Sequence, residues 1–152
     1  MSPHDVFSGA NLVATGGWAL LVLLPGKRRL VDAVAGRAIP ALLAAAYAAI
    51  VAVQWGGSEG GFSSLTEVAA LFANPWILLA GWIHYLAFDL FVGAWEARDA
   101  RERGIPHLLV VPCLLLTFLF GPAGWLLYLG VRSAHVALTP SGRTETSPTA
   151  EA

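Results

Sequence analysis

Five ionisable side chains that could take part in proton transfer lie within 24 residues of one another in this chain. They are His84, Asp89, Glu96, Asp99 and His107. The first two belong to an apolar segment long enough to cross a bilayer, where a charged side chain costs roughly 3 kcal/mol on insertion scales. Ionisable residues at such depth are functional candidates, and a carboxyl group removed from water holds its proton more readily. These five residues are therefore candidates for acid–base chemistry.

Helical geometry divides the residues of this segment between two faces. Each residue of an α-helix advances by about 100°, so Asp89 and Glu96, seven positions apart, differ by only about 20°. His84 lies about 140° from Asp89 and projects elsewhere. The first stripe consists of Tyr85, Asp89, Val92 and Glu96, and the second of His84, Phe88, Phe91 and Trp95.

Structural roles are alternatives for each candidate. Asp89 could pair with an arginine or bond to the backbone or to Asn11, and His84 could be an interior histidine with its hydrogen bonds satisfied. The charged run from Glu96 to Arg103 is typical of a solvated connector, and His107 could cap the next helix. The spacing matches no metal-ligand motif such as HExxH, so we expect neither a metal nor another cofactor.

Composition places the chain among membrane proteins. Of its 152 residues, 57% are hydrophobic and 12% are charged, whereas the average soluble domain is about 25% charged. The net charge of −1 gives no reason to expect a nucleic-acid partner. The one cysteine, Cys113, lies in an apolar run and forms neither a disulfide framework nor a CxxC motif.

Hydrophobic segments predict an all-α integral membrane four-helix bundle. The expected spans are about 6–24, 38–55, 76–95 and 105–131, within a single transmembrane domain of residues 1–138. A short interfacial helix is expected from Phe62 to Phe72, between the second and third spans. Gly121-Pro122 is expected to kink or break the last span, and residues 139–152 are expected to form a disordered polar tail.

Basic residues predict the orientation. The first connector carries Lys27, Arg28, Arg29 and Arg37, the third carries Arg98, Arg101 and Arg103, and the second carries none. By the positive-inside rule the first and third connectors face the cytoplasm, which places both termini on the non-cytoplasmic side. Gly9, Gly16 and Gly17 could support close helix packing within the bundle or in a homo-oligomer.

Several motifs together resemble those of a known family. They are Phe7-Ser-Gly-Ala-Asn-Leu12, Phe72-Ala-Asn-Pro-Trp76, the stretch from Gly81 to Gly93 with its His-Tyr-x-x-x-Asp pattern, Gly104-Ile-Pro-His107, and the stretch from Pro112 to Gly124. The chain is similar to the abscisic-acid-deficient-four-like membrane proteins from about Phe7 to Arg132. That family includes the plant plastid protein needed to make neoxanthin.

The resemblance implies an isomerase that converts a carotenoid epoxide into an allene by acid–base chemistry. The five ionisable residues carry over as catalytic candidates. The implied partners are a lipid-soluble carotenoid or isoprenoid substrate and membrane lipids, and the alanine- and arginine-rich composition implies a bacterial inner membrane. The alternatives are a non-catalytic module that binds carotenoid or lipid, and a small proton-coupled carrier. The expected substrate contacts are Asn11, Trp82, Tyr85, Phe88, Phe91 and Trp95.

Overall fold

Helices account for nearly all of residues 2–139, the part of the chain that the computed structural model describes. A π-helical turn, Val34–Ala38, joins the helix Arg28–Ala33 to the helix Ile39–Gln54, and a 3-10 turn, Trp55–Gly57, extends the second of these. Of the predicted polar tail, only Thr139 falls within the described residues. The helices are α1 (Pro3–Leu23), α2 (Arg28–Ala33), α3 (Ile39–Gln54), α4 (Leu65–Phe72), α5 (Pro75–Glu102), α6 (His107–Phe120) and α7 (Pro122–Leu138).

Three of the helical segments are long and apolar enough to cross a membrane, namely Pro3–Leu23, Arg28–Gly57 and Pro75–Glu102. The prediction of an all-helical chain with several apolar helices is confirmed, and the apolar helices indicate a membrane protein. The short helix expected between the second and third spans corresponds to α4. It begins later than predicted because Ser64 caps it, accepting a hydrogen bond from the Glu67 N–H.

The long helix α5 forms the axis of the fold. It begins where the side chain of Asn74 accepts a hydrogen bond from the Trp76 N–H, with Pro75 in the first helical position. Along its first half, Ile83 and Leu86 pack with residues of α1 and α3. Along its second half, its buried residues pack with those of α1, α6 and α7, including Trp18, Leu90, Ala94, Val110, Leu114 and Tyr128.

The charged stretch after residue 95 is not a solvated connector. Residues 96–102 are the last turns of α5, and both Glu96 and Asp99 are buried. The helix continues because Ala94, Ala97 and Ala100 extend its apolar face at a spacing of three. It ends in a Schellman motif at Gly104, whose φ is +69°, with the next N–H donating to the Ala100 carbonyl at 2.9 Å.

The predicted fourth span, residues 105–131, consists of two helices, because it breaks at Gly121-Pro122, one of the two outcomes expected there. The chain reverses at Gly121, whose φ of +42° lies in a region that favours glycine. The Gly121 N–H donates to the Thr117 carbonyl at 2.8 Å, and its own carbonyl accepts from the Gly124 N–H at 3.1 Å. Gly124 lies so close to Thr117 that a side chain there would overlap it. Helices α6 and α7 therefore form an antiparallel hairpin.

This α6–α7 hairpin covers only the second half of α5. Its turn, at Gly121, lies against Asp89 at the centre of α5, and its returning arm brings the Tyr128 hydroxyl to Asp99 at 2.6 Å. The 28 residues of α5 extend about 42 Å, whereas the 14 residues of α6 extend about 21 Å. The end of α7 consequently returns to the same end of the molecule as the end of α5.

Polar contacts tie the helices together at this end. Arg101 bonds to Asp32 of α2 at 2.6 Å, and the His107 ring contacts the Val22 carbonyl of α1 at 3.0 Å. The lysine and arginine residues of the described chain all lie toward this end, which we call the basic end. They are Lys27, Arg28, Arg29, Arg37, Arg98, Arg101, Arg103 and Arg132.

We expect Gly121→Ala to lower the free energy of unfolding by about 1–3 kcal/mol, because it places a residue with a side chain at a positive φ. The added methyl group would also lie 2.7 Å from the Asp89 Oδ1 atom. Thermal unfolding in detergent measures the effect. The matched control is Gly130→Ala in α7, where a Cβ meets no atom within 4 Å. Equal stability of the two variants would contradict the hairpin geometry.

Candidate functional site

Two carboxyl groups, Asp89 and Glu96, lie on the face of α5 that the hairpin covers, and we call them the carboxyl pair. Glu96 is completely buried, at 0% exposure, and Asp89 is half-buried. Their backbones are two helical turns apart, about 10 Å along the axis. Burying a charge costs a great deal of free energy unless it is paired and hydrogen-bonded, so such a pair requires an explanation.

Glu96 has one hydrogen bond and one unused oxygen. The Thr117 hydroxyl of α6 donates to its Oε1 atom at 3.0 Å. Its Oε2 atom is buried and has no hydrogen-bond partner among residues 2–139. Buried polar atoms almost always have a partner in native structures. The Oε2 atom is therefore placed to receive a proton, a water molecule or a polar group of a ligand.

Asp89 lies at the turn of the hairpin and also retains an unused oxygen. Its Oδ2 atom is buried without a hydrogen-bond partner in the described chain. The adjacent Tyr85 hydroxyl donates its hydrogen to the Phe118 carbonyl at 3.1 Å. The Asp89 Oδ2 atom, like the Glu96 Oε2 atom, is therefore open to a water molecule or to a polar group of a ligand.

The two carboxyl groups contact the hairpin at two positions. The distance between these positions is shorter than the distance between the Asp89 and Glu96 backbones on α5. Glu96 bonds to Thr117 of α6, and Asp89 lies against Gly121, which directly follows α6. Thr117 and Gly121 are about one helical turn, or about 6 Å, apart. Both carboxyl side chains lean toward the N-terminus of α5, so their contacts with neighbouring positions of the hairpin, rather than this lean, relate them to each other.

Trp18 of α1 covers the space between the two carboxyl positions. Its ring lies over Gly93, where an added Cβ would come 2.5 Å from the ring, and it packs against Phe118 with ring centroids 5.4 Å apart. Its Nε1–H group is buried without a partner among the described residues. This part of the core thus holds an unused donor as well as two unused carboxyl oxygens.

His84 lies apart from the carboxyl pair. Its ring centroid is 5.5 Å from that of Tyr47 and 4.6 Å from that of Phe88. It lines a cavity of about 280 Å³ between α3, α4 and α5, on the side of α5 away from the hairpin. The structure therefore does not bring His84 to Asp89, in agreement with the two separate faces that the sequence predicts.

Asp99 and His107 join helices to one another. Asp99 accepts hydrogen bonds from Tyr128 at 2.6 Å and from Arg103 at 2.9 Å, and Arg132 lies 3.5 Å away. His107 contacts the Val22 carbonyl. Of the five predicted catalytic residues, only Asp89 and Glu96 come together with unused polar atoms.

The predicted substrate contacts divide among three places. Asn11 accepts a hydrogen bond from the Trp82 indole at 3.3 Å, and the Trp82 and Tyr85 rings lie 5.3 Å apart. These three residues form a line, here called the aromatic shelf, that leads to Asp89. Phe88 and Phe91 line a groove against α3. Trp95 packs edge-on against Tyr128 at 5.7 Å.

Sequence reasoning did not identify the residues that enclose the carboxyl pair, namely Trp18, Thr117, Gly121 and Gly93. Thr117 gave a signal as one of two polar residues in the fourth apolar segment, and Gly121-Pro122 gave one as a helix breaker. The packing of Trp18 on Gly93 left no sequence signal. Within residues 2–139 no three His, Cys, Asp or Glu side chains come close enough together to hold a metal ion.

Comparison with known proteins adds the family. The family model described as ABA DEFICIENT 4-like matches residues 5–128, from the first helix to Tyr128. Neither the curated proteins nor the solved structures gave a significant match. The matched range includes the carboxyl pair, Thr117 and Gly121. The predicted resemblance is confirmed, and the chain belongs to the ABA DEFICIENT 4-like family.

Proposed function

We propose that this protein is embedded in a membrane and isomerises a carotenoid or related isoprenoid lipid through the acid–base chemistry of Asp89 and Glu96. The observation that carries the proposal is the carboxyl pair itself, two neighbouring groups that each retain a buried oxygen without a partner in the described chain. Membership of a family linked to neoxanthin synthesis supports the type of substrate.

The proposed reaction needs one acid and one base. The acid donates a proton to the oxygen of an allylic epoxide as its carbon–oxygen bond breaks. The base removes a proton from the neighbouring polyene carbon, and the electron pair of that C–H bond completes the allene. The product is an isomer of the substrate, so nothing is oxidised or reduced. One carboxyl of the pair supplies the first proton and the other accepts the second.

The hairpin supports membrane insertion with a re-entrant segment rather than a fourth full span. The exposed residues around its turn are all apolar, whereas turns in water favour polar residues. The backbone groups of Gly121 are bonded within the hairpin, as a bilayer interior requires. The exposed residues are Leu119, Phe120, Pro122 and Ala123.

The orientation we propose follows from the basic end. By the positive-inside rule this end faces the cytoplasm, and the N-terminus of α1 lies on the other side. A full fourth span would carry Arg132 to the far side, but the hairpin returns it to within 3.5 Å of Asp99. We therefore place the end of α7 on the cytoplasmic side. This proposal differs from the orientation predicted from the sequence, in which both termini are non-cytoplasmic, at the end of α7 only.

The aromatic shelf provides the approach to the carboxyl pair. Trp82 is 39% exposed and lies in the half of the molecule that the hairpin leaves uncovered. A long apolar substrate could lie along this surface with its oxygenated end at Asp89. Glu96 lies deeper, beneath α6, where water is excluded and electrostatic effects are strong.

We expect Asp89→Asn and Glu96→Gln each to reduce conversion at least about 100-fold, the usual size of an acid–base contribution. Each variant would be produced in a membrane host that supplies epoxy-carotenoids. The extracted lipids would be examined for an isomer of unchanged mass and altered absorbance. The matched control is Glu102→Gln, at the exposed end of the same helix, which should convert as the unaltered chain does.

Three outcomes would count against this assignment. Folded Asp89→Asn and Glu96→Gln variants that convert fully would refute the catalytic role. Pigment that copurifies with the protein without being converted would favour the binding module. Absence of both product and bound pigment would overturn the carotenoid type of substrate.

Cysteine labelling tests the proposed topology. In a Cys113→Ala background, we expect Glu102→Cys and Thr139→Cys to react with an impermeant maleimide from the cytoplasmic side. Ser58→Cys, in the loop after α3, should react from the opposite side. If Thr139→Cys and Ser58→Cys react from the same side, the last segment crosses completely and the re-entrant hairpin is wrong.

A further inference from the structure

A groove runs along the surface between α3 and α5, on the side of α5 away from the carboxyl pair. Its volume is about 410 Å³. Small residues of α3 make its floor, and Phe88 and Phe91, which are 58% and 50% exposed, make one wall. It extends from Arg37 to Ala44, about 10 Å along the helix. The lining residues are Gly36, Arg37, Pro40, Ala41, Ala44, Ala87, Phe88 and Phe91.

Arg37 lies at one end of this groove. Measured along the axis of α5, its position is well before the last residue of that helix. A Cβ at the neighbouring Gly36 would lie 3.6 Å from the Ala94 side chain. Ala94 precedes the end of α5 by eight residues, about 12 Å. In the proposed membrane orientation, the backbone of Arg37 lies below the cytoplasmic headgroups. Its guanidinium group can reach back to them along its flexible stem.

A second guanidinium lies beyond the lining residues of the groove, toward the basic end. Arg98 follows Phe91 by seven residues on α5, so it lies on the same face of the helix within about 20°. It is half-buried rather than extended into solvent. Phe91 is part of the apolar wall of the groove. Arg98 lies on the same face of α5, further toward the basic end of the molecule.

Neither guanidinium group has a carboxylate partner among residues 2–139. Arg101 pairs with Asp32, while Arg103 and Arg132 surround Asp99. A cation at this depth is costly unless an anion accompanies it. The groove therefore combines an apolar channel with a site for negative charge at one end.

We infer that the groove binds an anionic phospholipid, with one acyl chain against Phe88 and Phe91 and the phosphate group at Arg37 and Arg98. The inference relies on the membrane placement proposed above. It agrees with the orientation, because anionic lipids are enriched in the cytoplasmic leaflet. Arginine suits the role because its planar donors match a phosphate group.

A second copy of the chain fits the groove less well. Among exposed acidic residues, Asp5, Glu59 and Glu67 lie toward the opposite end of the molecule. Glu102 lies at the end of α5, about 12 Å beyond the level of Arg37. Among residues 2–139, a parallel copy in the same membrane therefore has no exposed carboxylate at the depth where the groove requires one.

Native mass spectrometry of the full chain in detergent tests the inference. Phosphatidylglycerol and phosphatidylcholine with identical acyl chains are the probes. We expect phosphatidylglycerol to be retained several-fold more strongly. Arg37→Gln and Arg98→Gln should each weaken that retention about fivefold, the attraction that one basic residue near an anionic lipid surface provides. Ala41→Phe, which fills the floor, should weaken it with both arginines present.

The matched control is Arg29→Gln, an exposed basic residue outside the groove, which should retain phosphatidylglycerol as the unaltered chain does. Equal retention of the two lipids, or an equal effect of Arg29→Gln and Arg37→Gln, would overturn the inference.

Competition by millimolar inorganic phosphate alone would show an anion site rather than a lipid site. A dimer that Ala41→Phe dissociates would show that a second copy covers the groove. None of these measurements depends on isomerase activity, so failure here is distinct from failure of the proposed reaction.

Discussion

The reversal of the chain at Gly121 is the constraint on which the arrangement of the second half of the molecule depends. A positive φ and contact with Asp89 leave room for no side chain at this position. Because the chain turns here, Thr117, which precedes the turn, reaches Glu96. Tyr128, which follows the turn, reaches Asp99. A straight helix through the same residues would make only the first of these contacts and would leave Asp99 without its partners on α7.

The second half of α5 places two carboxyl groups less than one helical turn apart in opposite electrostatic conditions. Asp99 receives hydrogen bonds from a tyrosine and an arginine and has a second arginine beside it. Glu96 receives a single hydroxyl bond and keeps an unused oxygen. Breaking a fully paired buried charge is strongly destabilising, so Asp99 acts as an anchor. Glu96 has the incomplete hydrogen bonding that the proposed proton transfer would use.

The sequence predicts the helices better than their ends. Apolar length identifies α1, α3 and α5, and helical periodicity places Asp89 and Glu96 on one face. The end of α5 is missed because its charged residues find partners on α2, α6 and α7, which local sequence does not reveal. Gly121-Pro122 is equally compatible with a kink and a reversal, since only contacts with α5 distinguish them. The approach of Trp18 to Gly93 depends on packing between distant segments and has no local pattern.

The short hairpin also gives the molecule unequal ends. Within the described part of the chain, α6 and α7 stand beside α1, α5 and the helix Arg28–Gly57 at the basic end. At the other end, α4 is the one further helix beside the three long helices. Inserted as proposed, the protein occupies more area in the cytoplasmic leaflet than in the opposite one. Such a wedge shape displaces lipid asymmetrically, so the curvature of the surrounding bilayer and the stability of the inserted protein become coupled.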